Sequence, residues 1–367
     1  MPTGRWATAV DWRGQSNLEA TLARLLLTKP PTAQDHPHYV DTQAALGGWP
    51  QAVVSADKRC VVVSDARIDN RQELLNLLRG QIKAPNTIGD AELILAAYKQ
   101  WGQNCPEQLT GDFAFVVWDA HKATLLAACD GMNMRTLSYL RTPGGLCLAS
   151  QGQQLLQHPQ HTPQLCELAL AGWISGRPDP RVSMFDGIEV LPPGHSLQAD
   201  AQGVNIRKFW DIDPQRQIRY QNVHDYQDHL QELLQRAVSD RMRSPHAVVA
   251  SQMSGGMDST TVTALASRQA AKENKQLLVI SHSYRSLESC DETDLIRETL
   301  AHLKLKNSRF LAAEEHTGLA YRELYPPALE NPGTVLSPRY ADEMALLKDA
   351  GASVLLTGSG GDEMVWG

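Results

Sequence analysis

The hexapeptide SGGMDS, residues Ser254–Ser259, is the most informative stretch in the second half of the chain. It follows an apolar run at Ala247–Met253 and precedes a helical pattern at about Asp258–Ala271. Glycines let the backbone approach a ligand closely, and the start of a helix presents unpaired N–H groups and the positive end of the helix dipole. The pattern therefore predicts a strand, a loop and a helix that together bind an oxyanion such as a phosphate.

Each residue type in this loop has an expected role. Ser254 and Ser259 supply hydroxyl donors, and Gly255 and Gly256 allow the close backbone approach. Asp258 supplies a carboxylate for Mg²⁺, which would bridge phosphate oxygens. The Walker pattern GxxxxGK[ST] does not occur in the chain. The alternative interpretation is a glycine-rich turn with an acidic helix cap.

A second glycine-rich loop, TGSGGDE at Thr357–Glu363, follows a predicted strand at Ser353–Thr357. In a parallel sheet the carboxyl ends of the strands face one edge, so two such loops can converge on one ligand. Asp362 is then the second magnesium ligand, opposite Asp258, in agreement with the preference of Mg²⁺ for one or two carboxylates plus phosphate oxygens. The predicted nucleotide-binding glycines of this loop are Gly358, Gly360 and Gly361.

Strands and helices alternate along the second half of the chain. An amphipathic helix with apolar residues from Val223 to Met242 is followed by strand–helix units, which imply a doubly wound, mostly parallel sheet. The further predicted elements are a strand at Leu277–His282, a helix around Thr293–Leu303, and a helix with Ser337 as its cap and Pro338 at its first position that runs to Gly351.

The first half of the chain contains short apolar runs separated by helical patterns, which predicts packed sheets flanked by helices. We expect one helix capped by Asp90 and ended by Gly102, and another at Gln72–Leu78. The predicted strands are Arg59–Ser64, Phe113–Trp118, Thr124–Cys129 and Leu146–Ala149.

Length and composition limit the class of protein. The 367 residues fit about two domains, and we expect an N-terminal domain over residues 1–210, a linker over 211–221 and a C-terminal domain over 222–367. The net charge of −7 argues against a generally basic nucleic-acid binder. Six scattered cysteines argue against a structural zinc or iron–sulfur site. No stretch has the pattern of a secretory signal or a membrane span, so we expect a cytoplasmic protein.

The two loops resemble those of the PP-loop ATP-pyrophosphatases, and their pairing resembles the asparagine synthetase branch of that family. The first half is similar to the glutamine amidotransferase domain of those enzymes, and the resemblance covers roughly residues 39–367. It implies an α/β protein with an N-terminal Ntn-type αββα glutaminase-like sandwich and a C-terminal doubly wound, parallel-sheet PP-loop synthetase domain. The first-half motifs are SDARIDNRQEL (Ser64–Leu74), GDAELILAAYKQWG (Gly89–Gly102), LTGDFAFVVWD (Leu109–Asp119) and FDGIEVLPPGHSL (Phe185–Leu197).

The chain also departs from the family pattern. Glutamine-hydrolysing members use an N-terminal cysteine as nucleophile, whereas Pro2 follows Met1 here, so we expect an inactive glutaminase-like domain. Ser359 replaces the glutamate or tyrosine that asparagine and β-lactam synthetases carry in the second loop, and this resembles the lasso-peptide macrolactam cyclases. The segment Asp130–Leu140 also differs from the usual family form. The chain ends at Gly367, where relatives continue, and we expect it to represent a truncated synthetase domain.

The resemblance implies an AMP-forming carbon–nitrogen ligase that uses ATP and Mg²⁺. The expected substrate is a ribosomal precursor peptide whose N-terminal amine is joined to an Asp or Glu side chain, with a leader-removing protease as partner. Alternatives are a β-lactam-synthetase-like or asparagine-synthetase-like ligase for small molecules, and a catalytically inactive scaffold. No catalytic base is assigned.

Other residues have competing interpretations. His282 either lines the nucleotide pocket or is a core histidine. The carboxylates of Asp291, Glu292 and Asp294 are expected at a helix start, where the helix dipole stabilises them. Arg285 and Arg339 are either solvated charges or contacts for a phosphate or a substrate.

Overall fold

A computed structural model describes residues 5–26, 38–82, 84, 85, 87–179, 181–316 and 338–361. These residues form an N-terminal unit up to residue 215 and a C-terminal unit from residue 216. None of the helices in these ranges is both long and apolar enough to cross a membrane.

Two antiparallel six-stranded sheets form the centre of the N-terminal unit. Sheet A has the order β10-β8-β9-β1-β3-β2, and sheet B has the order β12-β11-β7-β6-β5-β4. The strands are β1 (Arg5–Asp11), β2 (Tyr39–Val40), β3 (Ala44–Trp49), β4 (Val53–Val54), β5 (Cys60–Ile68), β6 (Gly111–Asp119), β7 (Thr124–Cys129), β8 (Ser138–Thr142), β9 (Gly145–Ala149), β10 (Ile188–Val190), β11 (His195–Asp200) and β12 (Gly203–Lys208). The helices are α1 (Leu18–Leu25), α2 (Arg71–Leu77), α3 (Asp90–Trp101), α4 (Gly152–Leu155) and α5 (Glu167–Ile174), with a 3₁₀ segment at Gly102–Gln108.

The layers of this unit follow from how its strands are buried. On β5, Val61 and Val63 pack between the two sheets, whereas Val62 packs against α2 and α3 on the other face of sheet B. A third core joins sheet A to α1 and α4 through Leu22 and Leu155. Because β5 is buried on both faces, its sequence reads as a continuous apolar run. The predicted αββα sandwich is confirmed.

One predicted helix start needs correction. Gly89, not Asp90, is the N-cap of α3, and its N–H donates to the carboxylate of Glu92 at 2.6 Å. Asp90 is the first helical residue, and its carboxylate forms an ion pair with Arg71. Gly102 ends the helix with φ at 58°, as predicted.

The described part of the C-terminal unit contains a four-stranded, fully parallel sheet with the order β15-β14-β13-β16. One face packs against α6, α7 and α8, and the other packs against α9, so the predicted doubly wound arrangement is confirmed. The strands are β13 (Val248–Gln252), β14 (Gln276–Ser283), β15 (Ser308–Ala312) and β16 (Leu355–Leu356). The helices are α6 (Val223–Arg241), α7 (Met257–Glu273), α8 (Thr293–His302) and α9 (Pro338–Asp349), with 3₁₀ segments at Glu288–Cys290 and Ala313–His316.

The stretch predicted as a linker, residues 211–221, contains no helix or strand and is exposed. Ser337, predicted as the cap of α9, lies outside the described residues.

Candidate functional site

The order of the strands creates a switch point at the carboxyl edge of the C-terminal sheet. From β13 the chain continues to β14 and β15 on one side, and it later returns to β16 on the other side. Ligands of open α/β sheets bind at such points. Both glycine-rich loops lie here, one after β13 and one after β16.

The two loops are in direct contact. A Cβ atom added to Gly361 would overlap the carboxyl group of Asp258, and one added to Gly358 would lie 2.5 Å from the backbone nitrogen of Ser259. Glycine is therefore needed at both positions for this approach. Asp362, the predicted second magnesium ligand, lies outside the described residues.

Hydrogen bonds within the first loop fix its shape. The N–H of Ser254 donates to Ser259 Oγ at 3.0 Å, and the N–H of Gly256 donates to Ser254 Oγ at 3.3 Å. The two serine hydroxyls also bond to each other at 3.0 Å. In this conformation the hydroxyls predicted to meet a phosphate thus hold the loop together. Helix α7 starts directly after Gly256, and the N–H groups of its first turn have no acceptors within the helix.

A cavity of about 640 Å³ opens in front of the loops. Asp258 and Ser359 line it from the loops, and His282 and Tyr284 line it from the end of β14 and the residue after it. The segment before α8 contributes the exposed thiol of Cys290 and the carboxylate of Glu292. Gly358 also lines the cavity. Gly361 and the exposed Gly360 do not line it.

A buried carboxylate supports the wall of this cavity. Glu343 on α9 is only 5% exposed, and its Oε1 lies 2.9 Å from His282 Nε2 and 2.8 Å from the amide nitrogen of Gln252. The three side chains come from α9, β14 and β13, so they tie the helix to the carboxyl edge of the sheet. His282 is therefore both a cavity-lining residue and a member of a polar cluster.

The segment before α8 is held in place by two carboxylates. The pKa of Asp291 is lowered because its carboxylate accepts hydrogen bonds from Thr293 Oγ1 at 2.6 Å and from the N–H of Tyr284 at 3.0 Å. The pKa of Glu314 is lowered by the N–H of Ser286, which donates at 2.7 Å. These bonds fix the start of α8 beside the first loop.

Glu292 contacts the first loop itself. Its Oε2 accepts a hydrogen bond from the N–H of Gly255 at 3.3 Å. The sequence predicts a helix-start carboxylate here, and the structure shows that this carboxylate occupies a backbone donor of the phosphate-type loop. The loop therefore binds an oxyanion, although that oxyanion belongs to the protein.

Two residues of this polar cluster were not predicted from the sequence, and some predicted residues lie outside the described part of the chain. Gln252 and Glu343 were not predicted, since a polar residue at a strand end and a glutamate in a helix carry no distinctive sequence signal. Arg285 is exposed, and its charge helps to lower the pKa of Glu314. The residues Met1 and Pro2 and the side chain of Arg339 lie outside the described part of the chain.

The donor set at Asp258 suits a magnesium ion. Asp258 is a half-buried carboxylate facing the cavity, and within the described residues no lysine, arginine or histidine forms an ion pair with it. A carboxylate beside a phosphate-type loop is the ligand environment that Mg²⁺ uses in nucleotide sites. Asp258 would hold the ion, which would neutralise charge on the phosphate oxygens.

Comparison with known proteins matches each half of the chain to a family. Residues 40–210 match the glutamine amidotransferase domain, and residues 229–367 match asparagine synthase. The glutamine-hydrolysing asparagine synthetase 3 of Bacillus subtilis is 27% identical over 240 residues, which cover 65% of this chain and 38% of that protein. Asparagine synthetase 1 of the same organism is 25% identical over 331 residues, covering 88% of this chain and 49% of that protein.

A fungal protein also matches. The amidase chyE of Penicillium rubens is 26% identical over 297 residues, which cover 75% of this chain and 42% of that protein. The chain thus spans less than half the length of these relatives. The N-terminal sandwich and the C-terminal parallel sheet thus match, in this order, the glutamine amidotransferase domain and asparagine synthase, and the chain is similar to glutamine-hydrolysing asparagine synthetases over both halves.

Proposed function

We propose that this protein forms an amide bond at the expense of ATP, through an adenylated carboxylate. The observation that carries the proposal is the contact between the two glycine-rich loops at Asp258, in front of the cavity. A loop that already binds a carboxylate oxygen through a backbone N–H is suited to a phosphate oxygen.

The proposed reaction has two steps. A substrate carboxylate oxygen attacks the α-phosphorus of ATP, the bond from this phosphorus to the bridging oxygen breaks, and pyrophosphate leaves. An amine then attacks the acyl carbon, AMP leaves with the bonding electrons, and the amine gives up a proton. The N–H groups at the start of α7 offset the charge that develops on the leaving pyrophosphate.

As a finer proposal, the carboxylate and the amine belong to one ribosomal peptide, and the product is a macrolactam. Ser359 supports this, because a hydroxyl at the cavity replaces the acidic or phenolic group of asparagine and β-lactam synthetases. Ring closure mainly requires positioning, for which effective molarities of about 10⁵ M or more are known. The small-molecule ligases remain the second candidate.

Asp258→Asn tests the proposed activity. We expect pyrophosphate release in the presence of ATP, Mg²⁺ and substrate to fall about 100-fold or more, because the substitution removes a carboxylate ligand of the ion that would neutralise charge on the phosphates. Asp294→Asn, at the first turn of α8, is the matched control and should leave the rate unchanged. An unchanged rate in Asp258→Asn would contradict the ATP site, and the absence of pyrophosphate release by the wild type would favour the inactive scaffold.

The substrate class needs a separate assay. Pyrophosphate release is compared with a leaderless peptide that has a free N-terminal amine and an internal Asp or Glu, and with small amino acids and diacids. Faster release with the peptide, together with a product lighter by one water, supports the macrolactam. Turnover of only the small molecules identifies the second candidate, and a requirement for a leader-removing protease is tested with full-length precursor.

A further inference from the structure

The contact between Glu292 and the first loop has a consequence for ligand selection. The carboxylate lies 3.3 Å from the N–H of Gly255, where the proposed function places a phosphate oxygen. A phosphate oxygen bound there would meet a negative charge at close range. Asp258, which lines the same cavity, adds a second one. Like charges at such distances oppose binding.

The fold keeps Glu292 at this position. Gly255 has no side chain, and a Cβ atom there would lie 3.2 Å from Glu292 Cβ and 3.0 Å from Leu295 Cδ2. The start of α8 therefore packs directly on the loop. The hydrogen bonds of Asp291 to Thr293 and Tyr284 hold the residues on both sides of Glu292.

We infer that Glu292 is a specificity-determining residue that makes phosphate binding at this loop dependent on Mg²⁺. The inference rests on the proposed function. A metal-free polyphosphate has to displace Glu292 from Gly255 and also meets its charge, whereas the metal-bound form carries compensating positive charge. Glu292 thus selects the magnesium complex over the free polyanion, which is unproductive because its leaving group is not neutralised.

The test measures pyrophosphate binding to the full chain by titration calorimetry, with Mg²⁺ and with a chelator. Glu292→Gln keeps the size of the side chain and removes its charge. We expect the Kd for metal-free pyrophosphate to decrease about tenfold, and the ratio between metal-free and metal-bound Kd values to decrease by a similar factor. High salt should reduce the difference between the variant and the wild type in the Kd for metal-free pyrophosphate, because salt screens exposed charges.

Glu288→Gln is the matched control, because Glu288 is exposed in the segment before α8 and should leave the ratio unchanged. If wild type binds the magnesium complex and Glu292→Gln shows the same ratio as wild type, the inference is wrong and the proposed function stands. If wild type binds neither form of pyrophosphate nor ATP, the proposed function fails, and the inference fails with it. Circular dichroism confirms that the variants are folded.

Discussion

Asp11 is a buried carboxylate that shapes the turn after β1. It is 3% exposed, and it accepts hydrogen bonds from the N–H groups of Arg13 at 2.9 Å, Gln15 at 2.9 Å and Ser16 at 2.7 Å. Burial raises its pKa, but the hydrogen bonds from Ser16, Arg13 and Gln15 outweigh this effect and leave the pKa below the ordinary value of an aspartate. The ionised form is therefore part of the folded state.

We expect Asp11→Asn to lower the free energy of unfolding at pH 7 by about 2 kcal/mol, because an amide nitrogen replaces one acceptor. A group whose pKa is lowered by folding stabilises the fold above its unfolded pKa, and it loses this effect as the pH falls through the folded value. The difference from wild type should therefore shrink below about pH 4. Urea denaturation at pH 7 and pH 3 measures it, with the exposed Asp186→Asn as control. A difference independent of pH would contradict this account.

The positions of some site residues can be predicted from the sequence, and those of others cannot. The position of Asp258 follows from a local motif, because strand, glycines and helix start are contiguous in the chain. The contact of Glu292 with Gly255 spans 37 positions, and that of Glu343 with His282 spans 61. Such contacts depend on how α8 and α9 pack on the sheet, which a local pattern does not contain.

Helix α6 forms where the sequence predicts an amphipathic helix, but only the C-terminal part of its apolar stripe is buried. Val238, near the end of the helix, and Met242, directly after it, are buried, whereas Val223 is 71% and Leu230 is 57% exposed. Periodicity shows which residues share a face of the helix. It does not show how far along the helix the sheet beneath it extends.

A pair of substitutions tests which part of the apolar face of α6 is buried. Met242→Ala should lower the free energy of unfolding by about 2–5 kcal/mol, because it opens a cavity in the core of the C-terminal unit. Leu230→Ala should cost less than about 0.5 kcal/mol, since most of its side chain is already in water. Far-UV circular dichroism during urea denaturation measures both. An equal cost for Leu230→Ala would show that its face of the helix is covered in solution.

The predicted strands were those with dense apolar runs. β5, β6, β7 and β9 are buried over most of their length, and their sequences show it. The strand β15 (SRFLA) was missed because it is short and only its last residue is buried. The apolar signal weakens wherever a strand lies at the edge of its sheet, as β15 does.

At the scale of the whole molecule, the two units have separate cores. Three of the hydrophobic clusters contain only residues before position 215, and the other two contain only residues after it. The expected boundary at residues 211–221 rested on polar composition and one proline. The segment also carries Ile212 and Ile218, and both are at least half exposed, so neither is buried in a core. Exposed, largely polar segments of this kind are typical of domain boundaries.

Separate cores predict two thermal transitions that respond differently to nucleotide. ATP and Mg²⁺ at about 100 times Kd should stabilise the C-terminal unit by about 2.7 kcal/mol and leave the N-terminal unit unchanged. Calorimetry shows both transitions, and tryptophan fluorescence identifies the N-terminal one, because all tryptophans except Trp366 lie in that unit. Asp258→Asn should remove the shift. If both transitions move together, the units unfold as one cooperative structure, and separate cores do not make them independent.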